Sequence, residues 1–482
     1  MSNVETYLSY LAGTYEGELP EPRPIRQELY LAALCEIYTG DLPAPVTHAD
    51  FLLRELAKKG VGEDFEITDA RYLFTSGARF DVMDVLFEHI PYIKNAASMF
   101  QYCAPSMCGV DDLFSVLPED FIEKLKPTEI TQSMFANAGS LKSFPDISFD
   151  SAVTISSMFS GASSLETVGN ISMPAAPPNN GLQYMFQSCS KLKTVGDITV
   201  GNNESVGCAS MFNGCSNLEN IGALNFKPNY AYQMFYGCSS LKEVPKMDLS
   251  ECTYISNMFQ GCTGLNGTVN IGKHNSTRNI SNTFGGCKNI KAIEDFYVSS
   301  TSYVAGGTTF PVGSATDIVA LKRLTIHPEA TYTGFTFNLS FCSFERSGMV
   351  EFFNSLLDIT DSTASSSYKT ITITGNPCVL DGYSLSKNTA YSTYKTHEAL
   401  IEYAIKRYRG FDCQGAPIKY YLSGGSSNSA VEGVFSDITT DMFDAGNVYV
   451  QFLADTISVP EDQRLSDSDK QIAIDKGWTL KI

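Results

Sequence analysis

Hydrophobic residues in the middle of the chain recur with a long, regular spacing. A Met-Phe phrase begins at Met134, and the following phrases begin 24, 27, 26, 23, 24 and 25 residues apart, the last with Thr283 in place of Met. Apolar residues stand seven positions after every Met, and ten and thirteen positions after most of them, as at Leu218, Ile221 and Leu224. A period of about 20–29 residues with fixed apolar columns is typical of solenoid proteins.

The repeated columns predict a buried ladder. The apolar side chains of one repeat contribute roughly 1.5–3 kcal/mol each, which does not offset the entropy of ordering its backbone, so repeats must stack. One column of small residues holds Cys in five repeats and Ala138 and Ala162 in two, which favours packing over a disulfide or metal array. The predicted ladder residues are Phe135, Phe159, Phe186, Phe212, Phe235, Phe259, Phe284, Cys189, Cys215, Cys238, Cys262, Cys287, Leu192, Leu218 and Leu241.

Each repeat is expected to contain a turn and a strand. We predict a turn or short helix at the Met-Phe phrase, a parallel strand near the aliphatic columns, for example Leu192 to Ile198, and a loop such as Gly201 to Ser205. Weaker matches extend the array to about ten repeats over residues 66–345. These matches are Leu73-Phe74, Met99-Phe100, Thr309-Phe310 and Thr336-Phe337.

The N-terminal residues 1–65 contain a duplicated Leu-Pro-x-Pro motif. Each copy precedes an apolar run with helical spacing, Leu29 to Tyr38 and Phe51 to Ala57, and a Pro pair rigidifies the entry to a helix. These helices are too small for an independent domain, so we predict a docking segment. Its docking residues are Leu19, Pro20, Pro22, Leu42, Pro43 and Pro45.

The C-terminal residues predict a cap that is interrupted by an inserted α+β module. Residues 346–376 and 464–482 contain a helix, a strand, and a second helix-strand pair that begins at the N-cap residue Ser466. Residues 377–463 read as a helix and two strands joined by a Gly-Ser-Asn linker. The fold class predicted for the whole chain is α/β: a leucine-rich-repeat-type solenoid with a small helical N-terminal segment and this cap.

The charge and hydrophobicity of the chain limit the kinds of partner that it can bind. The formal net charge is −19, and Lys406 to Arg409 is the one short basic cluster found, so nucleic acid is not an expected partner. The chain starts without a basic and apolar leader and contains no run of about 18 apolar residues. We therefore expect synthesis in a cytoplasm, no membrane insertion, and mostly reduced thiols among the thirteen cysteines.

Sequence motifs for catalysis are missing. The five histidines, at 48, 89, 274, 327 and 397, are scattered, and Cys103 and Cys108 have no second pair with zinc spacing. No phosphate-binding loop, dinucleotide fingerprint or nucleophile elbow is present. We expect no enzyme activity, no cofactor and no metal. A carboxylate pair for glycan cleavage stays an alternative, because 53 acidic residues offer many pairs.

The phrase Met-Phe-x-Gly-Cys-x-x-Leu, at Met211 to Leu218 and Met234 to Leu241, resembles the bacterial surface leucine-rich-repeat (BspA-like) family. That resemblance implies a repeat fold and a role in adhesion or surface recognition. The N-terminal and cap segments resemble the attachment and capping segments of tailed-phage fibre and baseplate-associated proteins.

These resemblances imply a structural and adhesive protein on the surface of a phage virion. It would bind other virion proteins through its N-terminus, occur in several copies, and meet a bacterial surface protein or glycan. Three alternatives stay open: a head-fibre, decoration or collar protein, a glycan depolymerase housed in residues 377–463, and an exported cellular adhesin.

Overall fold

The computed structural model of the chain describes residues 7–8, 11, 19, 26–35, 42, 45, 48–59, 66–77, 80, 83–174, 181–201, 205–274, 280, 282–298, 309–310, 320–328, 336–340, 342–360, 369–379, 382–384, 390–407, 414, 416–453, 456–458 and 461–482. It is a mixed α/β protein with several sheets of parallel strands. Its contacts divide the chain into two units. Unit 1 comprises Met1–Leu241 and Pro245–Cys252, and unit 2 comprises Lys242–Val244 and Thr253–Ile482.

The helices are short, and most lie outside the Met-Phe repeats. The described α-helices are α1 (Arg26–Leu34), α2 (His48–Lys59), α3 (Met83–Glu88), α4 (Pro105–Cys108), α5 (Phe121–Leu125), α6 (Arg346–Ser355), α7 (His397–Arg407) and α8 (Asp467–Asp475). Short 3-10 helices occupy Thr75–Gly77, Leu113–Ser115, Pro377–Val379, Ser427–Ser429, Phe435–Asp437, Thr440–Phe443 and Glu461–Gln463.

The strands are also short, and most of those in the repeats pair in parallel. The described strands are β1 (Ser143–Phe144), β2 (Ile147–Ser148), β3 (Thr167–Val168), β4 (Ile171–Met173), β5 (Thr194–Val195), β6 (Ile198–Val200), β7 (Ser205–Gly207), β8 (Asn220–Ile221), β9 (Leu224–Asn225), β10 (Lys227–Tyr230), β11 (Gly267–Val269), β12 (Ile290–Val298), β13 (Thr309–Phe310), β14 (Arg323–Pro328), β15 (Thr336–Asn338), β16 (Thr370–Thr372), β17 (Gly382–Ser384), β18 (Ser392–Tyr394), β19 (Pro417–Leu422), β20 (Val431–Val434), β21 (Val448–Phe452), β22 (Thr456–Ser458) and β23 (Thr479–Lys481).

In unit 1, the four repeats that begin at Met134, Met158, Met185 and Met211 each contribute one strand to each of two parallel sheets. One sheet has the order β1-β3-β5-β8 and the other β2-β4-β6-β9. Equivalent columns pair directly: Val168 with Val195, and Ile171 with Ile198. The apolar side chains of these strands point inward and the alternate ones outward, which is the two-residue alternation of a half-buried strand.

The Met-Phe phrases form turns whose backbone amides donate hydrogen bonds alternately to the next repeat and to their own turn. The Phe186 amide donates to the Met211 carbonyl of the next repeat (2.8 Å), whereas the Gln187 amide donates to the Tyr184 carbonyl of its own turn (3.1 Å). This alternation continues along the turn, so buried amides find partners without a helix or a regular strand.

Two left-handed residues shape every turn. One directly precedes the Met column, with φ between 53° and 57°, and the other follows three residues after it. The first column holds Ser98, Ser133, Ser157, Tyr184, Ser210, Gln233, Asn257 and Asn282, and the second Tyr102, Asn137, Gly161, Ser188, Gly214, Gly237, Gly261 and Gly286. The second column therefore explains why Gly so often precedes Cys in the sequence.

Some expected repeat elements differ in the structure. Ser205, expected in a loop, begins β7, which pairs in parallel with β10. Thr309-Phe310 and Thr336-Phe337 align with the Met-Phe phrase, yet they form strands β13 and β15. These two strands continue through β16 to β23, so they share a sheet with the C-terminal residues.

The C-terminal cap is held by polar contacts between its helices. Arg346 at the start of α6 donates to both carboxylate oxygens of Asp469 in α8 (2.8 and 3.3 Å). The Lys476 ammonium donates to three carbonyls at the end of α6, among them Leu356 (2.7 Å). A cation at a helix C-terminus satisfies unpaired carbonyls and opposes the helix dipole.

The chain leaves the cap sheet after β16, and residues of the segment 377–463 form a second hydrophobic core before it returns to β23. Strands β18, β21, β19 and β20 form an antiparallel sheet that packs against α7. Its buried cluster consists of Tyr394, Leu400, Ala404, Ala416, Ile418, Phe435, Ile438, Val448, Val450 and Phe452. All of these residues fall within the segment 377–463.

Candidate recognition surfaces

The predicted ladder residues lie inside the protein. The side chains of Phe135, Phe159, Phe186, Phe212, Phe235, Phe259, Phe284, Cys189, Cys215, Cys238, Cys262, Cys287, Leu192, Leu218 and Leu241 are all buried. From Phe100 to Phe235, successive Phe rings stack at 5.1–5.7 Å between centroids with planes within 9° of parallel. The ladder residues therefore hold the repeats in place and are not available to touch a ligand.

The buried thiols have a further role as hydrogen-bond donors. The Cys189 Sγ donates to the Phe159 carbonyl of the preceding repeat (3.0 Å), and the Cys215 Sγ to the Phe186 carbonyl (3.0 Å). Burial raises the pKa of Cys189 to about 12, and neither Cys189 nor Cys215 forms a disulfide. A protonated, covered thiol is a poor nucleophile and metal ligand.

The predicted docking residues divide between described and undescribed parts of the chain. Leu19, Leu42 and Pro45 are half-buried, whereas Pro20, Pro22 and Pro43 lie outside the described residues. The helices that follow the two motifs, α1 and α2, pack against each other. Their contact buries leucines on both helices, including Leu31 and Leu53.

Tyrosines occupy the outside of the turns in unit 1. The exposed rings are Tyr72, Tyr102, Tyr184, Tyr232 and Tyr236, with 37–55% of each residue accessible. Tyr72, Tyr102 and Tyr184 adopt φ values of 57–61°, a conformation that costs a non-glycine residue about 1–2 kcal/mol. The stacked repeats hold the backbone in this geometry, so these rings project from a rigid base.

A polar ladder follows the turn between the two strands in the four repeats of unit 1 that contain a strand pair. The Asp146 Oδ1 accepts the Asn170 amide (2.7 Å), the Asn170 Oδ1 accepts the Asp197 amide (2.8 Å), and the Asp197 Oδ1 accepts the Ala223 amide (2.8 Å). We call these residues the Asx ladder. Each side chain replaces a missing strand bond between neighbouring repeats, so the ladder is structural although it faces solvent.

A group of tyrosines lies on one face of the sheet in the segment 377–463. Tyr421 and Tyr449 stand opposite each other on β19 and β21, with ring centroids 4.6 Å apart and planes 1° from parallel. Tyr391 meets the Tyr421 ring edge-on at 5.0 Å and 74°. All three are half-buried. We call Tyr391, Tyr421 and Tyr449 the tyrosine face.

Polar side chains border the tyrosine face. Thr393 lies opposite Tyr449, and Lys419 lies on the same face as Tyr421, two residues along β19. The Lys419 ammonium forms an ion pair with Glu432 on β20. Its hydrogen bond to Glu432 raises the pKa of Lys419, so the positive charge persists and is balanced locally.

No centre for metal chemistry was found in the described part of the chain. There, no three His, Cys, Asp or Glu side chains are arranged to bind a metal ion. A groove beside α6 is rich in carboxylates, but Glu345 pairs with Lys322, Glu351 with Arg323, and Asp469 with Arg346. These acids therefore serve as ion-pair partners in the cap. Among the described helices, none is both long and apolar enough to cross a lipid bilayer.

Comparisons with known proteins match the repeats. A family model described as "Mycoplasma protein of unknown function, DUF285" matches residues 122–223 and 180–297. The two matches overlap and together span less than half of the chain. A search of curated proteins matched none. Among solved structures, the chain is similar to "Crystal structure of TLR13-ssRNA13 complex", at 14% identity and a TM-score of 0.18, over 60% of this chain and 43% of that chain.

Proposed function

We propose that the protein is a structural and adhesive component of a phage virion that recognises a bacterial surface. Within each unit, the repeats would stack as a leucine-rich-repeat-type solenoid. Residues 1–65 would attach the protein to other virion proteins, and the exposed parts of the repeats and of the segment 377–463 would meet the host. The protein would act by binding, without a catalytic step.

One contrast between inside and outside supports this proposal. The ladder positions repeat the same residue types and are buried, whereas the solvent-reaching positions change from repeat to repeat. Two residues after the Met column, for example, stand Gln187, Asn213 and Tyr236. A constant interior with a varied surface suits a scaffold for recognition, since binding on an extended face sums many moderate contacts. Several copies on a particle would raise the avidity further.

The proposal is tested by locating the protein and removing its docking segment. We expect antibody-labelled electron microscopy of purified particles to place the protein at the tail fibres or baseplate. A chain that lacks residues 1–65 should lose only the helical signal of α1 and α2 from its far-ultraviolet circular dichroism and fail to join particles. Label on the head would favour the decoration or head-fibre alternative, and absence from particles, or incorporation of the truncated chain, would contradict the proposal.

A further inference from the structure

We propose that the tyrosine face of the segment 377–463 binds an uncharged polysaccharide of the bacterial surface. This inference rests on the recognition role proposed above and assigns a ligand class to one surface. The occupant would be a hexose unit held by ring stacking and by hydrogen bonds to its hydroxyl groups.

The geometry of the rings suits a sugar. A pyranose has one face of C–H groups with a slight positive charge, which is attracted to the negative face of an aromatic ring. Tyr421 and Tyr449 are parallel and cover one face of each other, and Tyr391 stands at 74° to Tyr421, so the planes of the three rings lie in two orientations. Tyrosine also carries a hydroxyl that donates and accepts hydrogen bonds at the rim of such a contact.

The residues around the rings distinguish a sugar from a protein partner. The aliphatic side chains Ile418, Val448 and Val450 point to the opposite side of the sheet, where they are buried in the module core. The tyrosine face itself is bordered by Thr393, Lys419 and Glu432. A stable protein interface usually takes about 20–30 residues on each side. Three rings within a polar border are instead a site for a small, hydroxyl-rich unit.

The charge distribution selects an uncharged ligand. Lys419 and Glu432 neutralise each other beside the rings, so the site offers no net charge to a charged polymer. The chain as a whole carries −19, and its field repels anionic polymers such as uronic-acid polysaccharides or teichoic acids. The ligand that is complementary to both observations is a neutral polysaccharide.

The inference is tested by affinity electrophoresis of the full chain in gels that contain dextran, mannan or galactan, with alginate as the anionic probe. Variants Tyr421→Ala and Tyr449→Ala remove the stacked pair. Tyr391→Ala removes a ring that is not part of this cross-strand pair, so it tests the site even where the pair is needed for folding. Ile474→Ala, at an exposed apolar residue of the cap helix α8, is the control.

We expect at least one neutral polysaccharide to retard the wild-type chain. Each tyrosine-face variant should weaken that retardation at least about tenfold, and Ile474→Ala should have no effect. No retardation in any neutral gel, equal retardation of the variants, or stronger retardation by alginate would overturn the inference. Particle location is measured separately. A virion protein without polysaccharide binding would therefore refute this inference and leave the proposed function standing.

Discussion

His274 is a buried histidine without a polar partner. Only 1% of the residue is exposed, and neither ring nitrogen has a hydrogen-bond partner in the described structure. The ring packs against Phe296 (5.0 Å) and Tyr297 (5.8 Å). Burial lowers the pKa of His274 to about 3, because the charged imidazolium would lose its hydration. The side chain is therefore neutral in the folded protein at ordinary pH.

The pKa of His274 makes the stability of unit 2 depend on pH. The unfolded chain takes up a proton near pH 6.5, whereas the folded chain does so only near pH 3, so acid favours unfolding between these values. At pH 5 the contribution amounts to about 2 kcal/mol of lost stability relative to pH 8. We expect His274→Phe to remove this loss, as measured by urea unfolding at both pH values.

The control for this prediction is His327→Phe. His327 also contacts Tyr297, at 4.4 Å between ring centroids, but its side chain is exposed. We expect this variant to keep the wild-type difference between pH 8 and pH 5, and carboxylate titrations affect all three proteins equally. An unchanged difference in His274→Phe would show that the histidine is not neutral and buried in the folded state.

Single residues show what the sequence could reveal and what it could not. The replacement of Cys by Ala138 and Ala162 indicated a packed small-residue column, and the structure places these side chains inside. The thiol donors to the Phe carbonyls had no sequence signal, because a Cys and its acceptor lie 26–30 residues apart in different repeats. The bond depends on the stacking register, which a single repeat does not encode.

At the scale of elements, the Asx ladder explains the glycines between the strand pairs. A side chain at Gly196 would place its Cβ 2.5 Å from the Asn170 Oδ1 and 2.8 Å from backbone atoms of the preceding repeat. Gly169 and Gly222 are equally close to the Asx residues behind them. Glycine is therefore required by close approach of two repeats, since a Cβ would separate them.

We predict that Gly196→Ala destabilises unit 1 by about 1–3 kcal/mol, because the backbone must move to relieve the contact. The measurement is chemical denaturation followed by circular dichroism. Gly139→Ala is the matched control, as its added Cβ would meet its nearest neighbours at an ordinary 3.5 Å. Equal stability of the two variants would mean that the repeats are not held at this spacing by the Asx ladder.

The positions of helices and strands could be predicted from the sequence where the hydrophobic spacing and the helix-capping residues indicated the same element. Ser466 is the N-cap of α8, where its hydroxyl accepts the Asp469 amide (3.1 Å), and Gly477 follows the helix with φ 84°. The prediction of turns at Thr309-Phe310 and Thr336-Phe337 was wrong, because a Thr-Phe pair fits both a turn and a strand. Partners in β16 and β23 decide between these states, and such distant pairings are invisible in a local pattern.

At the scale of the whole molecule, the segment 377–463 leaves and re-enters the cap at adjacent points. The Leu465 amide donates to the Cys378 carbonyl (2.8 Å), so the ends of the insertion are hydrogen-bonded to each other. Strand β16 pairs with β23 directly. The cap sheet is thus complete without the residues between them.

We predict that replacing residues 382–460 with a short Gly-Ser linker leaves the cap folded. One contact that the deletion removes, between Lys288 and Glu402, is a surface ion pair, which contributes at most about 1 kcal/mol. Trp478, the only tryptophan, is 3% exposed and donates from Nε1 to the Leu357 carbonyl (3.0 Å). Its emission should stay blue-shifted in the shortened chain, and a red shift would show that the cap needs the insertion.

The tyrosine face is the part of the molecule that the sequence predicted least. Tyr391, Tyr421 and Tyr449 belong to no repeat and share no spacing in the sequence. Antiparallel pairing of β19 with β21 brings two of them together across 28 residues. The repeats could be read from self-similarity, whereas this surface depends on a topology that occurs once in the chain.

The alternation of backbone hydrogen bonds within and between turns has a consequence for how the number of repeats can change. Every repeat in the middle of unit 1 offers its neighbour the same carbonyls and receives the same amides, so the junction between any two of them is interchangeable. A gene segment for one repeat can therefore be duplicated or deleted by recombination without creating a mismatched junction. Adding or removing one such repeat would change which side chains are displayed and leave the remaining junctions as they are.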